Sequence, residues 1–206
     1  MKKITAIAAL LMLTMTVGAQ DWSGNVYKIG EIYPGYYVGL TGDTVQGYFR
    51  MGDQVGNQTT CTYYKNETDK KPTAKYGPED ISAYKVGDKM YRAIHYSGGL
   101  TAKPIRFNLI TKDGAITQFK WYEEDLTVYP RKITEKEVYV NYHYKDNNEP
   151  RVLGHDETVM RFAKNFSEFV GDDKELSDKI ANKEKKYSAF QMYDIMDEYN
   201  EWAKTH

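Results

Sequence analysis

The sequence predicts an α+β protein in which an antiparallel β-meander, rolled or barrel-like, is followed by a C-terminal three-helix segment. Three observations predict it. Between Tyr36 and Leu153 short runs alternate apolar and polar residues with the two-residue period of a strand. Gly, Asp and Asn turns separate these runs at the spacing of hairpins. From Gly154 onward the apolar residues adopt a helical period instead, and strands followed by helices define the α+β class.

The chain opens with Lys2 and Lys3, an apolar run of 14 residues from Ile4 to Val17, and the small residues Val17-Gly18-Ala19. A charged start, a short apolar stretch and a small-residue site together read as a secretory signal peptide. The run is shorter than the ~20 residues a membrane-spanning helix needs. Residues 1–19 are therefore expected to be removed, leaving a mature chain that starts at Gln20 and carries no cysteine there for a lipid anchor. The expected location is periplasmic or extracellular. Residues 20–154 are expected to form the β domain, and 155–206 a helical segment packed on it.

Asp21–Pro34 reads as a lead-in to the first hairpin, Tyr36–Met51. A two-residue Gly42-Asp43 loop of type II′ predicts Leu40 opposite Val45, Val38 opposite Gly47 and Tyr36 opposite Phe49 on one face. On the other face it predicts Tyr37 directly opposite Tyr48. Gly52–Asn57 reads as loop, Thr59–Lys65 as a third strand, and Asn66–Lys75 as a polar tract. Ile81–Val86 and Met90–Tyr96 are strands around Gly87-Asp88, where both a two- and a three-residue loop remain open. For Ile105–Thr111 and Ala115–Tyr122, a three-residue loop with Gly114 left-handed sets Phe107 against Phe119 and Ile105 against Trp121. Leu126–Tyr129 and Glu137–Lys145 are further strands, the second with Val138, Val140, Tyr142 and Tyr144 on one face. Asp146-Asn147-Asn148 turns the chain into Arg151–Leu153.

In the helical part, Val159, Phe162, Ala163, Phe166, Phe169 and Val170 share one side, and Gly171 stands where a cap glycine would. Asp172 and Glu175 have capping-box spacing before Leu176 and Ile180. Ser188 opens a last helix with Ala189, Met192, Tyr193, Met196, Tyr199 and Ala203 on one side. The patches GYYVGLTGDTVQG (35–47), YGPEDISAY (76–84) and KELSDKI…YDIMDEYNEW (174–202) resemble a group of uncharacterised exported β-rich proteins of Gram-negative bacteria. That group has no established activity, so the resemblance implies no catalytic residues.

The chemistry readable in the sequence is mostly a set of exclusions. With 28 basic against 29 acidic residues the chain is too balanced for nucleic acid or an anionic membrane surface. Apart from the signal peptide, no run approaches membrane length. Cys61 is the only cysteine, so no internal disulfide forms, and its strand-forming neighbours predict a buried, inert thiol. Nucleophile elbows and phosphate-binding glycine loops are missing from the sequence. His95, His143, His155 and His206 lack metal-ligand spacing, and Pro150 breaks the calcium-loop pattern after Asp146. No metal or cofactor is implied. Glu123-Glu124-Asp125 could supply one carboxylate of a glycosidase pair.

The unusual feature is the 19 tyrosines, whose rings suit half-buried sheets and wet interfaces alike. Tyr37 and Tyr48, paired on the face away from Leu40, Val45 and Phe49, are the candidate ligand-binding residues if that face is open, and structural residues if the C-terminal helices cover it. They would stack on a glycan or an apolar side chain of an envelope protein. The leading expectation is thus a non-enzymatic binding or cell-envelope accessory module. The alternative is a hydrolase acting on carbohydrate or another envelope polymer.

Overall fold

Ten antiparallel strands form one sheet in the computed structural model, which describes residues 25–96 and 105–206. The expected signal peptide lies outside the described residues. The strands are β1 (Ile32–Gly39), β2 (Thr44–Arg50), β3 (Cys61–Tyr64), β4 (Ala74–Tyr76) and β5 (Ile81–Val86). They continue as β6 (Lys89–Ile94), β7 (Arg106–Lys112), β8 (Ile116–Asp125), β9 (Lys132–Asp146) and β10 (Glu149–Gly154). A short helix α1 (Gln54–Thr59) lies between β2 and β3. The C-terminal part contains α2 (His155–Met160), α3 (Phe162–Phe169), α4 (Lys174–Ala181), a 3-10 turn (Ala189–Gln191) and α5 (Met192–Trp202). Among the described residues no helix is long and apolar enough to cross a membrane.

The spatial order β10-β9-β8-β7-β6-β5-β1-β2-β3-β4 leaves β10 and β4 at opposite edges, so the barrel-like closure expected from the sequence does not occur. Both edges are poor templates for pairing. β4 has three residues, and β10 carries Pro150, which has no N–H to donate. β1 pairs with β2 on one side and β5 on the other, which appends the first four strands to the β5–β10 meander.

The first hairpin is slipped by three residues from the expected register. Tyr37 lies opposite Val45, Tyr33 opposite Phe49, and Gly35 opposite Gly47. The connection is correspondingly longer: Gly39 N–H donates to Asp43 O at 2.8 Å, and Gly42 sits at φ +89°. The glycines explain the choice. A Cβ on Gly35 would lie 1.9 Å from the Lys85 carbonyl oxygen, and one on Gly47 would lie 2.4 Å from the Tyr63 ring. Pairing the two glycines therefore lets β1 approach β5 closely while aromatic rings cover the space left on their face.

The β7–β8 hairpin also differs from expectation. Ile110 faces Phe119 and Leu109 faces Lys120, with a bulge between Ile110 and Lys112. Phe107 and Phe119 are both buried, but on opposite faces of the sheet. A register that places all apolar residues together assumes a single buried face, and this sheet has two. Gly114 does not have positive φ. Its hydrogen instead leaves room for Asn200, whose side chain would be 2.7 Å from a Cβ.

Several turns and caps also differ from expectation. Gly52–Asn57 is not all loop, because Asp53 caps α1 by accepting from Gly56 N–H at 2.6 Å. Leu126–Tyr129 is loop rather than strand; Leu126 and Tyr129 are exposed, and Asp125 is held by Thr127. Gly171 is not a left-handed cap, and Asp173, not Asp172, caps α4 through Leu176 N–H. The open question at Gly87-Asp88 resolves as a two-residue loop, with Val86 opposite Lys89 and Gly87 at φ +59°. Asn147 and Asn148, at φ +51° and +69°, form the turn expected there.

Three apolar clusters result. Phe49, Tyr63, Tyr84, Tyr91 and Phe107 are buried together on one face of β1–β7. Ile94, Ile110, Phe119, Trp121, Val138 and Val140 are buried on the opposite face of β6–β9. Phe162, Phe166, Phe169, Leu176, Ile180, Met196 and Tyr199 pack on Ile116 and Tyr139, on the first face again. β9 is thereby buried on both sides.

Two substitutions test this arrangement. Gly35→Ala should destabilise the protein by about 2–3 kcal/mol, since backbone and not a movable side chain blocks the Cβ; a neutral result in denaturant titration would refute the close β1–β5 approach. Phe166→Ala, at a fully buried position, should cost about 3–5 kcal/mol and lower a single melting transition of the entire chain. Two transitions, one unmoved, would show that the helical layer folds separately.

Candidate functional site

The predicted platform of Tyr37 and Tyr48 is not assembled. The slipped register puts Tyr37 on the same face as Val45 and Phe49, while Tyr48 lies on the other face beside Pro34 and Tyr64. Tyr37 packs edge-on against Tyr63 and meets Tyr76 at a hydroxyl separation of 3.4 Å. That hydrogen bond, aided by desolvation, pushes the Tyr37 hydroxyl up to about 12. It is one part of an aromatic core rather than half of a two-ring surface.

Two polar clusters join the helical layer to β9. In the first, Glu137 Oε2 accepts from Tyr139 at 2.6 Å and Tyr193 at 2.8 Å, and Oε1 accepts from Gln118 at 3.0 Å. Because its O–H donates to Glu137, the Tyr139 hydroxyl oxygen is free to accept from His155 Nδ1, 3.0 Å away. Burial and the Glu137 carboxylate hold the Tyr139 hydroxyl protonated far above the ordinary phenol range. In the second, Asp172 contacts His143 Nδ1 at 2.8 Å and accepts from Tyr199 at 2.9 Å. Asn141 Oδ1 receives the backbone N–H groups of His143 and Tyr144, while its Nδ2 donates to Phe169 O. Sequence spacing could not find either cluster, because strand, turn and helix residues far apart in the chain supply it.

A carboxylate–histidine pair can act as a base when a nucleophile stands beside it. Cys61 is buried in a different cluster, and burial drives its thiol pKa upward, away from the reactive thiolate. Each described serine hydroxyl, on Ser82, Ser167, Ser177 and Ser188, is spent on a backbone carbonyl or on Gln191. Among the described residues no group of three or more His, Cys, Asp or Glu side chains is arranged to hold a metal ion.

The carboxylates of the Glu123-Glu124-Asp125 run line a cleft of about 670 Å³ with Arg106 and Trp121. Glu123 pairs with Lys136 at 2.8 Å and Glu124 with Arg131. Two hydrogen bonds from Thr127 hold Asp125 below the usual carboxylate range. A glycosidase acid needs the opposite, a raised pKa.

A different kind of surface lies on the helical layer. The chain breaks between α2 and α3 at Arg161, with φ −138° and ψ 45°, and no side chain or acidic residue caps the first turn of α3. Between this break and the segment joining α4 to the 3-10 turn runs a groove of about 470 Å³. Met160, Phe162, Ala163, Ala189 and the Tyr187 ring supply its apolar lining. The Tyr187 hydroxyl donates to Glu198, and Lys179 sits 5.5 Å from its ring, which fixes that wall. Arg161, Lys164 and Lys183 stand at the groove, and among the described residues no carboxylate lines it. Met160 is 84% exposed and Phe190, next to Ala189, is 95% exposed. The apolar stripe through Phe162 and Ala163 was readable in the sequence. The groove left no signal in the sequence, because Lys183 meets Arg161 and Lys164 only in the folded chain.

Comparison with protein-family models, with curated proteins and with solved structures finds no match to this chain. The groove is thus defined by its own geometry.

The buried phenols make one further property measurable. Burial, with Glu135, pushes Tyr122 up to about 12; burial drives Tyr84, Tyr91 and Tyr199 upward as well. An unfolded tyrosine ionises near ~10, so above that pH the unfolded chain releases protons the folded one keeps. This contribution to stability is complete below about pH 10 and is lost as pH rises through the folded-state values. Melting temperature should therefore fall above about pH 10, with tyrosinate absorbance appearing together with unfolding. Full tyrosinate absorbance from a still-folded protein would contradict the buried hydroxyl assignments.

Proposed function

We propose that this chain is an exported, non-enzymatic binding module of the cell envelope that takes an apolar ligand in the groove between the α2–α3 break and the α4–3-10 segment. The observation that carries the proposal is the exposure of Met160 and Phe190 beside a concave apolar surface. Large apolar side chains around a cleft of this volume are characteristic of ligand sites. Support also comes from the state of the polar groups elsewhere: the carboxylates and serine hydroxyls that would serve a hydrolase are committed to internal partners. The export expectation rests on the sequence of residues 1–19.

A neutral solvatochromic naphthylamine dye tests the reading. The dye should gain fluorescence on binding, and Ala163→Trp, which fills the groove, should weaken binding by about tenfold or more. Met160→Asp, at an exposed position, should weaken it by removing apolar contact while leaving the melting temperature nearly unchanged. Dye binding unaffected by both substitutions, or no binding at all, would remove the groove as the site.

A further inference from the structure

Resting on the reading of the groove as an apolar ligand site, we infer that its ligand is a single-chain anionic amphiphile, an acyl chain ending in a carboxylate. The lining divides into two chemistries. Met160, Phe162, Ala163 and Ala189 offer apolar surface with no polar side-chain atom, which suits a chain of methylenes. Arg161, Lys164 and Lys183 add three cations.

The charge is what separates this groove from the other clefts described. The cleft by Trp121 is lined by Glu123, Glu124 and Asp125 as well as Arg106. The cleft beside β10 is lined by Asp146, Glu149 and Glu168 as well as Arg151. Each of those mixes signs, and Glu123, Glu124 and Arg151 have protein partners. In the α2–α3 groove the three charged residues among the described lining are all positive. Among the described residues none of the three forms an ion pair, although Lys179 on the neighbouring helix α4 is paired with Glu175 at 2.7 Å. An anionic group placed among exposed cations gains from all three, whereas a neutral ligand gains from none.

An acyl chain fits the lining better than a peptide does. Each peptide residue brings an N–H and a C=O that need partners on leaving water. The groove offers little for them: the Ser188 hydroxyl is bound to Gln191, and the Tyr187 hydroxyl to Glu198. A hydrocarbon chain makes no such demand. The carboxylate stays at the rim with the cations, and the chain runs along Phe162 and Ala163.

The experiment compares dodecanoate, dodecanol and dodecyltrimethylammonium, each below its micelle concentration, for displacement of the neutral dye from the exported protein. Dodecanoate should bind about tenfold more tightly than dodecanol, with the cation weakest, and the preference should shrink as salt is raised. Replacing Arg161, Lys164 and Lys183 together by Gln should leave dodecanol binding unchanged and abolish the preference. Equal binding of all three amphiphiles would overturn the inference while leaving an apolar-ligand site intact. Failure of the dye and of all three would overturn both. Two other results would also overturn the inference. One is binding to anionic phospholipid vesicles without binding of monomeric dodecanoate, which identifies a membrane-facing surface. The other is a dimer dissolved by Phe190→Ser that dodecanoate does not perturb, which identifies a contact between copies of the chain.

Discussion

Tyr91 and Ile94 lie three residues apart on β6, and both are buried, on opposite faces of the sheet. Phe107 and Ile110 repeat the pattern on β7, and Val138 and Tyr139 repeat it on β9. A strand sends alternate side chains to opposite faces, so two-sided burial requires material on both. The protein meets this requirement unevenly. One face is filled by the aromatic cluster of β1–β7 and, further along, by the helices, while the other carries its own cluster on β6–β9. The placement of the helices on one face and of the β6–β9 cluster on the other answers that two-sided demand.

Amides fasten the layers where the strands alone cannot. Gln58 from α1 exchanges two hydrogen bonds with the backbone of Tyr122, at 2.7 and 2.6 Å. Asn200 from α5 bonds both the N–H and the C=O of Ile116, at 2.6 and 3.3 Å. Each side chain behaves as one residue of an additional strand. Asn141, fully buried in β9, connects the end of α3 to Tyr199 of α5. A buried amide left without partners costs roughly 1–3 kcal/mol, so these contacts specify where each helix sits more than they add net stability.

The same packing leaves the open apolar surface on the helical layer. Phe166, Phe169 and Val170 turn into the core against Ile116 and Tyr139. The break at Arg161 ends α2 at Met160, which projects outward instead of continuing that stripe. Phe190, next to the lining residue Ala189 in the chain, lies on a single 3-10 turn and is exposed. The break at Arg161 thus leaves Met160 exposed at the groove, and the basic residues at that break and after α4 supply the charge.

Local chemistry alone determined a large part of this protein. Turn residues at Gly87-Asp88 and Asn147-Asn148, alternation in Ile81–Val86 and Glu137–Lys145, and the helical spacing of Phe162, Phe166 and Phe169 identified most strands and the helical region. These signals rest on interactions within a few residues, which the sequence displays directly. The registers of the β1–β2 and β7–β8 hairpins were decided elsewhere. Gly35 and Gly47 pair because β5 and the Tyr63 ring crowd them, and Gly114 is required by Asn200, which is distant in sequence. The separation of Tyr37 from Tyr48, the open sheet and the groove at Arg161 likewise depend on which elements meet in space. Alternation cannot tell one buried face from two, and a one-dimensional pattern cannot show where two helix breaks will lie side by side.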